Sequence, residues 1–308
     1  MTRAVCVLMG ALASAAVGAM VSGQEQPLIV AYMTGDGELV PVARYDGTHW
    51  TNTWPEPISD DAPVPVRRVD EIPRAWLGQA VPLTWFAWSE GIGKPRRVTV
   101  TGVDRDGACV QAITLATSPR PDPPSDGLAL DRPTAVDAMV AIEQGSPERD
   151  RLRRDVTPHF RTAVAKGAAP DAGELGARAF ALGRADGLAE ADVVVDAAFR
   201  DPRFPIFFIE AERRFSEIPS DTDYDALSYG GWFRWDAAGT LVPISAAVMG
   251  MSTAEGKLPR YEPIGIVRLG NRSIWALSEF GNESQTIVLF EVSAEGVRKL
   301  TSADISGC

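Results

Sequence analysis

The stretch GELVPVA, residues 37–43, is written again in this chain as GTLVPIS, residues 239–245. Each copy runs glycine, apolar strand, proline in the same order. Glycine suits the left-handed end of a tight turn, and proline is confined within sheets to an edge or a bulge because it cannot donate to the ladder. The copies are therefore expected to be equivalent strands of two similar β-meanders. Leu39 and Leu241 should both point into a core, because a strand alternates its side chains.

Outward from the first copy, LIVAYMT, GDG and ELVPVARYDG read as one hairpin. RVTVTGV and ACVQAITLAT, joined by DRDG, read as a second. Both have turn residues between alternating runs. The Pro-rich PEPISDDAPVPVRRVDEIP between them reads as a surface loop. Around the second copy, FPIFFIEAERRF, ALSYGGWFRWD, PIGIVRLG, NRSIWALSEF, SQTIVLFEVS and GVRKLTS follow one another with frequent turn signals. That spacing belongs to antiparallel β architecture and not to a parallel α/β sheet.

The middle of the chain changes period. Thr134 and Asp137 form a capping box ahead of TAVDAMVAIEQ, Ser146-Pro147 opens a further helix, Thr157-Pro158 another, and Asp171 with Glu174 a fourth. The predicted fold is mainly β and antiparallel, with propeller-like or double-sheet β-meanders and a helical insertion in the middle of the chain. Its blocks are a signal peptide at 1–23, an N-terminal β-meander at 24–117, a Pro-rich linker at 118–130, the helical insertion at 131–187 and a C-terminal β-meander at 188–308, the two β blocks forming one domain.

MTRAVCVLMGALASAAVGAMVSG carries one early positive charge, an Ala- and Gly-rich apolar run and small residues before Gln24. It reads as a secretory signal cut after Gly23, the rival being an uncleaved anchor. Lysine is scarce beside arginine and alanine, as in a GC-rich bacterium. The expected location is secreted or periplasmic, with no membrane contact after cleavage. Removing the signal leaves Cys109 and Cys308, an even pair in an oxidising compartment, and the expected disulfide tethers the C-terminus. The formal charge of -11 argues against a nucleic-acid partner, whose phosphates select clustered Lys and Arg.

The chemistry-bearing residues are sparse. His49 and His159 are the only histidines, and no GxSxG elbow accompanies them. Glu210, Glu212 and Arg214 share one face of a predicted strand, and carboxylates two apart lie about 6–7 Å from each other, near the spacing of an inverting glycosidase. Asp221, Asp223 and Asp225 have the spacing that opens a calcium loop. Ala226 and Trp232 then stand where an EF-hand needs Gly and Glu. Trp85 and Trp88 flank opposite strand faces beside Glu90, and an exposed one would offer a sugar-stacking platform. No cofactor is implied. The leading expectation is a non-catalytic, exported, envelope-associated module that binds a protein or glycan partner. The alternatives are a polysaccharide hydrolase using Glu210 and Glu212, and a calcium-dependent adhesion module.

Overall fold

A computed structural model describes residues 27–52, 68–72, 74–77, 83–89, 93–104, 114–167, 174–215, 225–252, 260–280 and 284–307. Its first hairpin joins β1 (Leu28–Met33) to β2 (Leu39–Tyr45) through the turn that ends at Gly37. β3 (Trp50–Thr51), β4 (Thr84–Ser89), β5 (Arg96–Asp104), β6 (Thr114–Ser118) and β7 (Gly127–Leu130) complete a sheet ordered β1-β7-β4-β5-β6-β2-β3. Because β2 also pairs with β1, six of these strands close into a barrel and β3 hangs on its rim. Alternation divides the barrel side chains cleanly. Ile29, Ala31, Met33, Leu39, Trp85, Ala87, Val98 and Leu115 fill the interior, plugged by Ile72, Trp76 and Leu77. Leu28, Val30, Tyr32, Val40, Trp88, Leu128 and Leu130 face outward yet are buried under a second layer.

Two further sheets make that layer and the next. β8 (Ala135–Asp137) pairs with β14 (Arg260–Leu269), which continues through β15 (Arg272–Phe280), β16 (Ser284–Val292) and β17 (Val297–Gly307). β9 (Val140–Ala141) pairs with β10 (Val194–Arg200), which continues through β11 (Ile206–Phe215), β12 (Asp225–Trp235) and β13 (Leu241–Ser252). The segment 135–141 thus gives its first strand to one sheet and its second to the other. The β14–β17 sheet is buried on both faces. Ile274, Ala276, Ile287 and Leu289 meet the barrel exterior, while Ile266, Trp275, Leu277 and Val292 meet Ile206, Phe208 and Trp232 of the β10–β13 sheet. The far face of the latter, with Ile209, Ala211, Leu227, Tyr229 and Phe233, carries the helices α1 (Pro147–Lys166) and α2 (Glu174–Asp186). The layers run helices, sheet, sheet, barrel. The fold is mainly β and antiparallel with helices midchain, as the turn spacing implies.

The repeated heptad is a repeated hairpin. In both copies the turn glycine sits at positive φ, 84° at Gly37 and 79° at Gly239. In both its N–H returns to the residue three before, Gly37 to Thr34 at 2.8 Å and Gly239 to Asp236 at 3.0 Å. In both, a β-bulge follows the proline. Pro41 opposes Ala31 and Ala43 opposes Val30, leaving Val42 as the extra residue. Pro243 opposes Phe233 and Ser245 opposes Trp232, leaving Ile244. The equivalence stops at the hairpin. Leu39 is buried inside the barrel and Leu241 under the helices, β2 is a barrel strand, and β13 is the edge of its sheet.

Three local expectations are corrected. TAVDAM is not a helix: Ala135–Asp137 ladders with β14, and the Asp137 carboxylate bonds Arg268 Nε at 2.7 Å instead of capping. α1 runs unbroken through Pro158. There Thr157 Oγ1 donates to the Arg153 carbonyl at 2.7 Å, and Leu152, Val156, Phe160 and Val164 bury a continuous stripe. The missing proline N–H is outweighed by that packing. The Pro-rich 118–130 is not a linker, since its last four residues are the fully buried β7, and Pro121 lies against Gly37.

Candidate functional site

The layers decide where the expected site residues go. Trp85 is 0 % exposed inside the barrel and Trp88 is 3 % exposed beneath the β14–β17 sheet. Neither offers a ring face to a sugar, because the surface that alternation leaves outside the barrel is itself covered. Glu90 lies outside the described residues, as do Cys109, Cys308, Asp221 and Asp223. Asp225, at the start of β12, is buried and its Oδ2 meets Arg178 Nε of α2 at 2.8 Å. That carboxylate fastens a helix to a strand. Glu212 is likewise buried and grips Arg214 through both oxygens, at 2.7 and 3.1 Å. His49 is exposed and bonds Thr48 Oγ1 through Nδ1. His159 sits in the middle of α1, where Nε2 bonds the Leu241 carbonyl at 2.8 Å, and not at a helix start as expected.

Glu210 is different. It lines a cleft of about 310 Å³ that opens between the two facing sheets. The floor is built from the β12–β13 hairpin arms, where Ser228, Gly230, Ser245 and Ala247 present little bulk. Gly231 lets those strands approach: a Cβ there would stand 2.1 Å from the Ser245 carbonyl oxygen. At Gly230 a Cβ would come within 3.3 Å of Glu210 Cγ, so the absent side chain leaves room for the carboxylate stem to cross.

The walls are aromatic. Phe208 meets Trp232 edge-to-face with centroids 5.1 Å apart, and meets Tyr261 edge-to-face at 5.5 Å. Trp232 tilts against Phe290 at 4.5 Å. Tyr261 and Glu279 are direct cross-strand partners on β14 and β15. Burial, the hydrogen bond to Glu279 and the charges of Glu279 and Glu210 push the Tyr261 phenol up. It is therefore a hydrogen-bond donor at neutral pH and no base. Carboxylates from both sheets converge on one hydroxyl, and Met249, 47 % exposed, stands at the lip.

The opposite end of the inter-sheet seam is closed by charge. Arg268 is buried, bonds Asp201 at 2.7 and 2.9 Å, Asp137 at 2.7 Å and Ser273 at 2.6 Å, and lies 5.6 Å from the Phe204 ring. It ties β14, β8 and the loop before β11 together. Every strong donor there has an internal acceptor, so this cluster holds structure.

Sequence reasoning singled out Glu210 and missed Glu279, Tyr261, Phe208, Trp232 and Phe290. A signal was present in YGGW: adjacent glycines inside a strand mark a close backbone approach. Among the described residues no helix is long and apolar enough to cross a membrane. No protein-family model, no curated protein and no solved structure matches this chain.

Proposed function

We propose that this chain is an exported, non-catalytic binding protein and that its ligand enters the cleft between the two sheets. The observation that carries the reading is the wall of Phe208, Trp232, Tyr261 and Phe290 joined by Glu210 and Glu279 from facing sheets. A concave, mostly apolar opening with a few convergent polar groups is the usual form of a ligand site. The signal-like first residues and the acidic balance support export, and Cys109 paired with Cys308 is the proposed tether of the chain end. Non-reduced, denatured mature protein should then show no free thiol on labelling. Two free thiols in periplasmic material would remove the tether.

The binding reading is tested by a thermal-shift screen of glycans, peptides and small amines against the mature protein and Ser245→Trp. Ser245 is exposed on the cleft floor, so the tryptophan fills the opening without entering a core. Ligands that stabilise the wild type by mass action should lose their effect in the variant. Shifts that persist in the plugged protein place binding elsewhere.

A second reading, hydrolysis of a polysaccharide, draws support from the convergence of Glu210 and Glu279. It does not draw on Glu212, whose oxygens are engaged by Arg214. Release of reducing ends from a cell-wall polymer, lost in Glu210→Gln, would favour it over binding alone.

A further inference from the structure

We infer that this protein pairs with a second copy of itself along β13, through the half of the strand at residues 245–252, whatever enters the cleft. An unblunted sheet edge presents a row of backbone N–H and C=O groups that can template another strand. Proteins suppress such edges by shortness, charge, proline, bulges or cover. The other edges of the two stacked sheets are suppressed in these ways. β8 and β9 are three and two residues long. Where β10 runs on past β9, Arg149 bonds the Val195 carbonyl at 3.1 and 2.6 Å and the Asp196 carbonyl at 2.6 Å. Where β14 runs on past β8, it carries Glu262 and Pro263. β17 carries Arg298, Lys299 and Asp304, and the Asn52 side chain bonds its Ser302 carbonyl.

β13 is built differently in its two halves. The first is blunted, because His159 holds the Leu241 carbonyl, Pro243 has no N–H to offer and the bulge at Ile244 breaks the ladder. From Ser245 to Ser252 the register with β12 is regular and no residue is charged. Among the described residues no strand lies beyond it, and Ser245, Ala247 and Met249 are exposed.

The order of side chains in that half selects a second copy over an unrelated strand. An antiparallel pair turned about a two-fold axis at Val248 sets Ala247 opposite the partner's Met249 on the cleft side, and Ala246 opposite the partner's Gly250 on the helix side. On each face the larger residue of one chain thus meets a smaller one of the other, and directly opposed side chains are close enough for that fit to decide between packing and clash. Val248 meets its own copy and extends the apolar layer that it joins beneath the helices. Charge points the same way. A chain of formal charge -11 repels its copy, and an uncharged edge lets two such chains meet without setting like charges opposite each other. Two-fold pairing uses up the edge, so assembly closes at two.

Sedimentation velocity of the full mature protein, in a dilution series from millimolar to micromolar, tests the seam, with unfolding temperatures recorded to show that every variant folds. The wild type should be a reversible dimer with no larger species, and added salt should strengthen it by screening the like net charge of the two chains. Ala247→Lys, at an exposed position, should weaken the dimer by about tenfold or more. Adding Met249→Glu to that variant sets opposite charges across the seam and should recover most of the loss, which a general loss of apolar surface would not do. Val194→Lys, at an exposed apolar residue of β10 three strands away, should leave the dimer unchanged. A monomer at every concentration, open-ended growth, a dimer indifferent to Ala247→Lys, or no recovery in the double variant overturns the pairing. A monomer that takes up an extended peptide of another sequence along β13 gives the edge to a different partner and likewise overturns it.

Discussion

At the scale of single residues, the informative groups are polar ones that the layers bury. Asp201 and Arg268 illustrate the energetics. The Arg268 guanidinium would be stranded without its acceptors, since its side chain is 7 % exposed and that of Asp201 is 0 % exposed. Breaking such a pair from one side typically costs about 3–5 kcal/mol, because the partner charge stays buried. Asp201→Ala is expected to lose that much in urea unfolding. Breaking the exposed pair Arg68–Asp70 should cost far less, because solvent screens both charges. A loss of similar size at both sites would show that burial does not set the strength of the Arg268 cluster.

Glu291 gives a pH-dependent counterpart. Hydrogen bonds from Arg272 lower its carboxyl below the ordinary 4.5, against the opposing effect of partial burial, with Arg298 adding to the lowering. A carboxyl depressed in the folded state contributes stability that is fully present above its unfolded value. That contribution is lost as pH falls through the folded value. The stability difference between wild type and Glu291→Gln should thus be constant above about pH 5 and shrink below about pH 4.5. A difference that grows on acidification would contradict the assignment.

At the scale of elements, the same sequence motif meets different neighbours, which allows a differential prediction. Gly37 and Gly239 both sit at positive φ, where a side chain costs about 1 kcal/mol. A Cβ at Gly37 would also stand 2.2 Å from Pro121 Cδ, whereas at Gly239 the nearest atom is 3.8 Å away. Gly239→Ala should cost about 1 kcal/mol and Gly37→Ala at least about 2–3 kcal/mol. Leu39→Ala and Leu241→Ala, both fully buried, should each cost about 2–5 kcal/mol. If the two glycine variants behaved alike, the contact with Pro121 would carry no weight. The hairpin was legible in the sequence because turn, alternation and bulge are all local. Thr134–Asp137 was misread because its fate is not local: Asp137 is claimed by Arg268 and Arg203, from segments far along the chain. Likewise β7 hides in a Pro-rich stretch, since four residues suffice for a strand when neighbours on both sides supply the ladder.

At the scale of the whole molecule, what the sequence could not disclose is which faces meet. Alternation put Glu210, Glu212 and Arg214 on one face, where Arg214 engages Glu212 within the strand, but only the packing of the two sheets shows that Glu210 faces Glu279 across a cleft. It also buries Trp88, which a barrel alone would leave outside. That cleft is the proposed place of binding. The eight tryptophans make this directly measurable, because Trp232 lines the cleft while Trp85 lies inside the barrel and Trp88 under the neighbouring sheet. With nitrogen-labelled tryptophan, indole N–H resonances are recorded as a compound that stabilises the wild type but not Ser245→Trp is added, the Trp232 signal being identified from Trp232→Phe. Binding in the cleft predicts a saturable shift of the Trp232 resonance with those of Trp85 and Trp88 unmoved. Saturable shifts of the barrel tryptophans while Trp232 stays fixed would contradict it.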